Sequence, residues 1–336
     1  MAKFRMNQAI NMALNDEMAA DDRVIVLGED VADNGGAFKT SVGLLEKYGR
    51  KRVLDTPISE MGFTGAALGA SLTGIRPVVD MVFVEFMGVA LDQIVTQAAM
   101  MNYLSGGKLH APIVYRASNG SGLGFGCQHS QTLERWFLGT PGLKIVVPSG
   151  ARTAYGLLRA AIRDDEPVLF LEARPYYGRR EEFDPGDGAI MELGKAEIVS
   201  TGDDITIVTL GQTVAVASDA AANRSWSADV IDLLTLAPWD ENTVLKSVEK
   251  TGRLAIVEEN QYTGGWGGQI SSHVTQQAFH HLKAPVIRIT APDCPVPFGV
   301  HLEAHFMPSV EYTAKQIETL LETGKAAPHW WEGLVS

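Results

Sequence analysis

Apolar residues along this chain come in short, nearly continuous runs, such as Val24-Ile25-Val26-Leu27 and Val168-Leu169-Phe170-Leu171, separated by longer stretches with helical spacing. A continuous β-rich run is the mark of a strand covered on both faces, and its alternation with helical segments predicts a parallel sheet with helices on both sides. In the first half, strands are expected at residues 24–28, 53–56, 77–82, 112–117, 144–148 and 168–172. Helices are expected near 6–19, 61–73, 86–104, 133–138 and 151–163. Between Arg174 and Gly194 the pattern stops, and Pro, Gly and charge take over in Tyr176-Tyr177-Gly178-Arg179-Arg180 and Asp184-Pro185-Gly186. That reads as a connector. A second series then predicts strands at 205–210, 229–233, 254–258 and 286–290, with helices near 214–222, 241–251, 268–282 and 310–322. The expected organisation is two doubly wound α/β domains, 1–178 and 196–326, a connector at 179–195 and a tail at 327–336.

With 336 residues the chain exceeds the usual single-domain range, which fits two domains with ample core. Its 28 Lys and Arg against 40 Asp and Glu leave a formal charge of −12, which argues against nucleic acid or an anionic membrane as partner, because phosphate contacts need clustered cations. Cys127 and Cys294 are too few for a disulfide framework or a thiolate zinc site. The start, Met1-Ala2-Lys3-Phe4-Arg5, leads into polar positions, and no apolar run of about 18 residues follows, so a cytoplasmic protein is expected.

Two places carry candidate chemistry. The first is Asp55-Thr56-Pro57-Ile58-Ser59-Glu60-Met61-Gly62, where Glu60 opens a helix rich in small residues: Gly62, Gly65, Ala66, Gly69 and Ala70. By itself Glu60 is a first-turn acid stabilised by the helix dipole, while the small face admits close approach of a partner backbone or a cofactor. The second is Asn119-Gly120-Ser121-Gly122-Leu123-Gly124-Phe125-Gly126, leading into Cys127-Gln128-His129-Ser130-Gln131. A loop leaving a parallel strand lies at the sheet's carboxyl edge, where doubly wound folds bind ligands. The glycine spacing is not that of a dinucleotide fingerprint, and neither a P-loop nor a nucleophile elbow is present. Gly186-Asp187-Gly188 reads as a turn, and the adjacent His280 and His281 cannot share a helix face as a metal pair.

Together these blocks resemble the beta subunit of the thiamine-diphosphate-dependent decarboxylating component of 2-oxo acid dehydrogenase complexes, the pyruvate, branched-chain and acetoin types included. The resemblance rests on Gly28-Glu29-Asp30-Val31, the block from Asp55 to Glu60, Leu91-Asp92-Gln93-Ile94, Gln128-His129-Ser130-Gln131 and Pro141-Gly142-Leu143-Lys144. It continues through Ala161-Ile162-Arg163-Asp164, Val230-Ile231-Asp232-Leu233 and Ala291-Pro292-Asp293-Cys294-Pro295-Val296-Pro297, from near residue 5 to about residue 324. It implies a pyrimidine-binding domain followed by a transketolase C-terminal-like domain. It also implies a cofactor shared with an alpha subunit, which holds magnesium and the diphosphate while the beta subunit holds the aminopyrimidine.

By this resemblance Glu60 hydrogen-bonds the pyrimidine ring nitrogen and promotes the imino tautomer whose nitrogen deprotonates the thiazolium. Phe86 packs against the pyrimidine, Glu29 and Met61 belong to the same cofactor-binding group, and His129 orients substrate and assists acyl transfer to a lipoyl arm. Ile113, Ala161, Ile162, Asp164 and Glu166 align with a backbone potassium site, Glu166 standing where relatives often carry Asn. The implied assembly is an alpha2beta2 heterotetramer that delivers its acyl unit to a lipoyl acyltransferase, with the second domain supplying dimer contacts and a docking face. Pyruvate or acetoin is favoured over branched-chain substrates. A split transketolase half and a non-catalytic paralogue are the alternatives. Leu234 in place of a family Arg, a short segment 222–228 carrying Trp226, and the Trp330-Trp331 tail depart from the pattern.

Overall fold

The computed structural model describes residues 2–332, so the last residues of the expected tail, 333–336, lie outside the described residues. In chain order the strands are β1 (Ala2–Arg5), β2 (Val24–Gly28), β3 (Val53–Asp55), β4 (Arg76–Phe83), β5 (Val114–Asn119), β6 (Lys144–Val146) and β7 (Val168–Ala173). They continue as β8 (Arg180–Phe183), β9 (Glu197–Ser200), β10 (Ile205–Thr209), β11 (Ala228–Asp232), β12 (Thr235–Ala237), β13 (Leu254–Gln261) and β14 (Ile287–Ala291). The chain divides into two compact units that interleave in sequence. The first takes residues up to Gly120, Trp136–Leu193 and Thr235–Pro238, and the second takes Ser121–Arg135, Gly194–Leu234 and the chain from Trp239 onward.

The first unit is built on a seven-stranded sheet of order β12-β6-β7-β5-β4-β2-β3, parallel throughout except for β12, which runs antiparallel to β6. A small antiparallel pair, β1 with β8, stands apart from it. The second unit has a five-stranded sheet, β14-β13-β10-β11-β9, whose edge strand β9 is antiparallel. Both are doubly wound α/β structures. Strands β5, β7, β10 and β11 are buried at every position, as strands covered on both faces are.

The helices Met6–Ala20, Glu60–Ser71, Ala151–Arg163, Thr213–Ala221, Glu241–Thr251 and Val310–Thr323 stand within a residue or two of where periodicity places them, and Gly267–Ala278 ends four residues early, passing into the 3-10 turn Phe279–His281. Two expected helices do not form as such. The stretch 86–104 is instead a 3-10 turn (Val84–Gly88), a π-helical segment (Asp92–Ala98) and a single α turn (Met101–Leu104). The buried pair Ile94 and Ala98 satisfies a wide turn as well as an α turn, so apolar spacing does not separate the two. The segment 133–138 keeps only the 3-10 turn Glu134–Trp136, because the Glu134 carboxylate accepts a hydrogen bond from Asn260 Nδ2 at 2.9 Å. Periodicity also misses β1, β8, β9 and β12, short strands with polar positions or antiparallel edges, and the short helices Leu44–Tyr48 and Val300–Phe306.

Candidate functional site

In a parallel sheet every strand leaves at the same edge, and the order β4-β2-β3 sets three of these exits side by side. Glu29 follows β2, Glu60 lies just beyond β3, and Phe86 lies just beyond β4. Gly28 ends β2 with no room for a side chain, since a Cβ there would stand 2.4 Å from the Asp80 carbonyl oxygen. The exits are tied together: the Thr56 N–H donates to the Gly28 carbonyl at 3.0 Å, and the Asp55 carboxylate accepts from the Ala32 and Asp33 N–H groups at 2.7 and 3.1 Å.

Glu60 is the first residue of the helix Glu60–Ser71 and only 9% exposed, with the positive end of the helix dipole behind it. The small face of that helix has a use inside the unit: a Cβ on Gly65 would stand 3.0 Å from Gln93 Oε1 of the π-helical segment. Burial pushes the Glu29 carboxyl above its ordinary range, helped by the negative charges of Glu60, Asp30 and Asp80. Met61 is 51% exposed. The Thr56 hydroxyl oxygen is buried with no hydrogen-bond partner among the described residues. A buried acid at a helix start, a second acid with a raised pKa, an aromatic ring and an unsatisfied hydroxyl suit a planar nitrogen ring such as the aminopyrimidine of thiamine diphosphate.

Beneath this edge lies a buried charge network that the sequence reading missed. Arg116 on β5 donates to both Glu172 oxygens on β7 at 2.7 and 2.8 Å, to Thr40 Oγ1 at 3.0 Å, and to the Asp80 carboxylate on β4. Burial alone would push the guanidinium down, but the Asp80 and Glu172 charges outweigh it and hold it firmly protonated. The Tyr177 hydroxyl closes the set by donating to Glu172 at 2.6 Å. The available signal was three charged residues inside otherwise apolar strand runs, which are rarely buried unless paired.

The five residues aligned with potassium lie at the opposite, amino edge. Arg76 donates to the Ile162 and Asp164 carbonyls at 3.0 and 2.9 Å, and the Val168 and Asp164 N–H groups donate to the Ile113 and Ala161 carbonyls at 2.9 and 3.3 Å. Lys144 pairs with the Asp164 carboxylate, and Glu166 pairs with His110 at 2.8 Å. Each carbonyl keeps a second lone pair, so an all-oxygen donor set suits a hard alkali cation, with Arg76 as a built-in competitor.

His129 belongs to the second unit, in the segment Ser121–Arg135. The glycine-rich loop before it commits amides to carboxylates of its own unit. Ser121 N–H donates to Glu259 at 2.5 Å, and the Gly122 and Gly124 N–H groups donate to Glu303 at 2.8 and 2.7 Å. Burial pushes the Glu259 carboxyl up, against the lowering pull of the Ser121 bonds. The loop is therefore a rigid mount for His129, whose N–H donates to the Gly126 carbonyl at 3.2 Å. Cys127 and Gln131, on either side of His129, line a cavity of about 710 Å³ with Arg135, Gln261, Asp293 and Cys294. Both cysteines are free.

Other readings resolve plainly. Asp187 sits in a turn, as expected, although the short strand β8 precedes it, and its carboxylate accepts from Arg159 at 2.7 Å. Among the described residues no group of three or more His, Cys, Asp and Glu could hold a metal ion, and no helix is long and apolar enough to cross a membrane. Leu234 is buried with φ +57°. The tail turns back on its helix: Tyr312 Oη and His329 Nδ1 share a hydrogen bond at 2.9 Å, and Trp331 stacks on His329 at 4.3 Å.

Residues 2–179 match the transketolase pyrimidine binding domain, and residues 194–312 match the transketolase C-terminal domain. The fold is that of a transketolase-type subunit. A split gene transketolase, solved as an inactive beta4 tetramer, superimposes with a TM-score of 0.76 at 23% identity, covering 95% of this chain and 98% of that one. The sequence relatives narrow the class. The pyruvate dehydrogenase E1 component subunit beta of Rhizobium meliloti is 43% identical over 92% of this chain and 68% of its own length. The Arabidopsis thaliana mitochondrial subunit beta-1 is 43% identical over 92% and 87%. The Caenorhabditis elegans mitochondrial subunit beta is 41% identical over 94% and 92%. The chain belongs to the family of E1 beta subunits of thiamine-diphosphate-dependent 2-oxo acid dehydrogenases.

Proposed function

We propose that this chain is the beta half of a thiamine-diphosphate-dependent 2-oxo acid dehydrogenase, active with an alpha subunit and acting on pyruvate or acetoin. The observation that carries the reading is the carboxyl edge of the first sheet, where the buried Glu60 and the partly buried Glu29 stand close enough for the charge of one to raise the pKa of the other, with Phe86 at the next strand exit. Thiamine diphosphate supplies, when bound, a nucleophilic carbon for the keto group of the substrate. Glu60 holds a proton against a ring nitrogen of the aminopyrimidine, Phe86 covers the ring face, and Met61 flanks the ring. Glu29, its carboxyl raised first by burial and then by the charge of Glu60, stands beside that site as a second acid. His129, on its internally bonded loop, orients the substrate and moves a proton as the acyl group passes to the lipoamide of a partner acyltransferase.

The assembly proposed is a cytoplasmic alpha2beta2 heterotetramer in which the alpha chain holds magnesium and the diphosphate. Domain roles follow the division 1–178 and 196–326, with the second domain docking the acyltransferase. Potassium is proposed on the carbonyls of Ile113, Ala161, Ile162, Asp164 and Glu166. Thermal unfolding in potassium, sodium and choline chloride at equal ionic strength tests this, and a midpoint raised by potassium alone is expected. Equal midpoints would leave Arg76 as the cation of that segment.

Co-expression with the alpha subunit and dye reduction with pyruvate, acetoin and 3-methyl-2-oxobutanoate tests the activity. Thiamine-dependent turnover of one substrate is expected, and Glu60→Gln should lower it by about 10² to 10⁴, the range of a lost proton-transfer group. Full activity of that variant would overturn the assignment.

A further inference from the structure

The end of β4 holds a strained residue. Val82 has φ +60°, a left-handed conformation that a β-branched side chain rarely tolerates. The β4–β5 ladder breaks its register here, between Asp80 and Phe83, so ladder pairing does not supply the restraint. Side chains do. Asp80 Oδ1 accepts from the Val82 N–H at 3.0 Å, and the buried Ser118 hydroxyl donates to the Val82 carbonyl at 2.7 Å. Both peptide groups of one strained residue are thus pinned, the N–H by a carboxylate two residues back on its own strand and the carbonyl by a hydroxyl of the neighbouring β5.

The clamp is itself over-determined. The other Asp80 oxygen takes Arg116, which forks onto Glu172, and Glu172 accepts from Tyr177. Tyr177 stacks on Phe38 at 4.6 Å between ring centres, Phe38 meets the edge of Phe83 at 5.7 Å, and Phe83 meets the edge of Phe86 at 5.6 Å. The Arg174 Nε donates to the Ser118 hydroxyl at 3.1 Å while its guanidinium covers the Phe83 ring at 4.8 Å. The circuit runs from the buried carboxylate through charge and aromatic contacts back to the residues that follow Val82. Strain of this kind persists where the surroundings enforce it, and it is concentrated where geometry has a function.

We infer that Asp80 and Ser118 are positioning residues that force Val82 into its left-handed turn and thereby set Phe83 and Phe86 at the cofactor edge. The inference rests on the thiamine reading for what Phe86 faces, but the clamp itself is a property of this chain. Without the clamp Val82 relaxes toward an extended strand, Phe86 swings with it, and the cofactor loses its aromatic wall. A glycine at 82 removes the penalty, because glycine adopts that conformation freely.

The test uses the full chain co-purified with its alpha subunit and measures two quantities, the thiamine diphosphate concentration for half-maximal activation and the thermal midpoint. Asp80→Ala and Ser118→Ala should each raise the half-activation concentration about tenfold, and adding Val82→Gly to either should bring it back to within about threefold of the parent. Asp80→Asn, which keeps an acceptor for the Val82 N–H, should shift it less than Asp80→Ala. If Asp80→Ala does not fold, Ser118→Ala with and without Val82→Gly decides the matter. A half-activation concentration that does not move while the midpoint falls, or one that moves and is not recovered by glycine, overturns the positioning role. Activity of the parent without thiamine diphosphate would instead overturn the functional reading, which separates the two failures.

Discussion

At the scale of single residues, the site depends on charges held where water is scarce. Glu29 has its carboxyl raised first by burial and then by Glu60, Asp30 and Asp80, so folding favours its protonated form. A group raised in this way adds stability that is fully present below its unfolded pKa of about 4.3 and is lost as pH rises through the folded value. Urea unfolding of Glu29→Gln should therefore show a more stable chain than the parent near neutral pH, with the gap closing on acidification. A gap that stays constant with pH would mean the mutation acts through packing instead. Gly28→Ala should cost about 1 to 3 kcal/mol, because its Cβ would stand 2.4 Å from the Asp80 carbonyl oxygen and neither backbone can retreat without opening β2 from β4. Phe86→Ala should raise the thiamine diphosphate needed for half activation about tenfold, the size of a lost aromatic contact. Glu60 was legible as a helix-start acid, yet its role came only through the resemblance. Asp80, Arg116 and Glu172 were visible as charges in apolar strands, but their pairing joins β4, β5 and β7 across separations that no local pattern encodes.

At the scale of elements, periodicity succeeded where one face decides and failed where tertiary contacts do. The helix Ala151–Arg163 was placed at its observed bounds, and its main packing partner is the helix Met6–Ala20. The polar rivet between these two was not legible: Glu17, buried in the first helix, accepts from Arg159 at 2.6 Å and from Arg163 at 2.9 Å in the second. Glu17→Ala should destabilise the chain by on the order of 3 kcal/mol, read from the shift in denaturant midpoint, because it leaves the buried Arg159 guanidinium with the exposed Asp187 carboxylate and the Tyr155 hydroxyl but no buried counter-charge. Arg163→Ala, at a half-exposed partner, should cost far less. The stretch 86–104 shows the other outcome. Its apolar positions fit one long helix, but the chain spends Val84–Gly88 on a 3-10 turn and Asp92–Ala98 on a π segment that aims Gln93 into the gap left by Gly65. That gap lies on another helix, so the sequence of the stretch alone does not reveal it.

At the scale of the whole molecule, the apolar surface left exposed on the first unit bears on assembly. Ile58 is 83% exposed, Tyr103 86%, Leu104 70% and Val89 55%, with Ile58 two residues before Glu60 and Val89 three after Phe86. Ile58 and Val89, large apolar side chains exposed in the stretches that carry Glu60 and Phe86, mark a face that a partner covers, and the family assigns that partner as an alpha subunit. The proposed heterotetramer therefore predicts a specific failure. Ile58→Glu places a charge on this surface without touching the core, so the isolated variant should melt close to the parent, surface changes being usually within about 0.5 kcal/mol. Mixed with the alpha subunit, the parent should run as alpha2beta2 by light scattering, whereas the variant should stay unassembled and inactive, because an unpaired charge buried at an interface costs more than the contacts around it return. Added thiamine diphosphate and magnesium should not restore it. If the variant assembles normally yet loses activity, Ile58 acts at the cofactor edge and the covering face lies elsewhere; if it assembles and turns over like the parent, this surface is not where the alpha subunit sits.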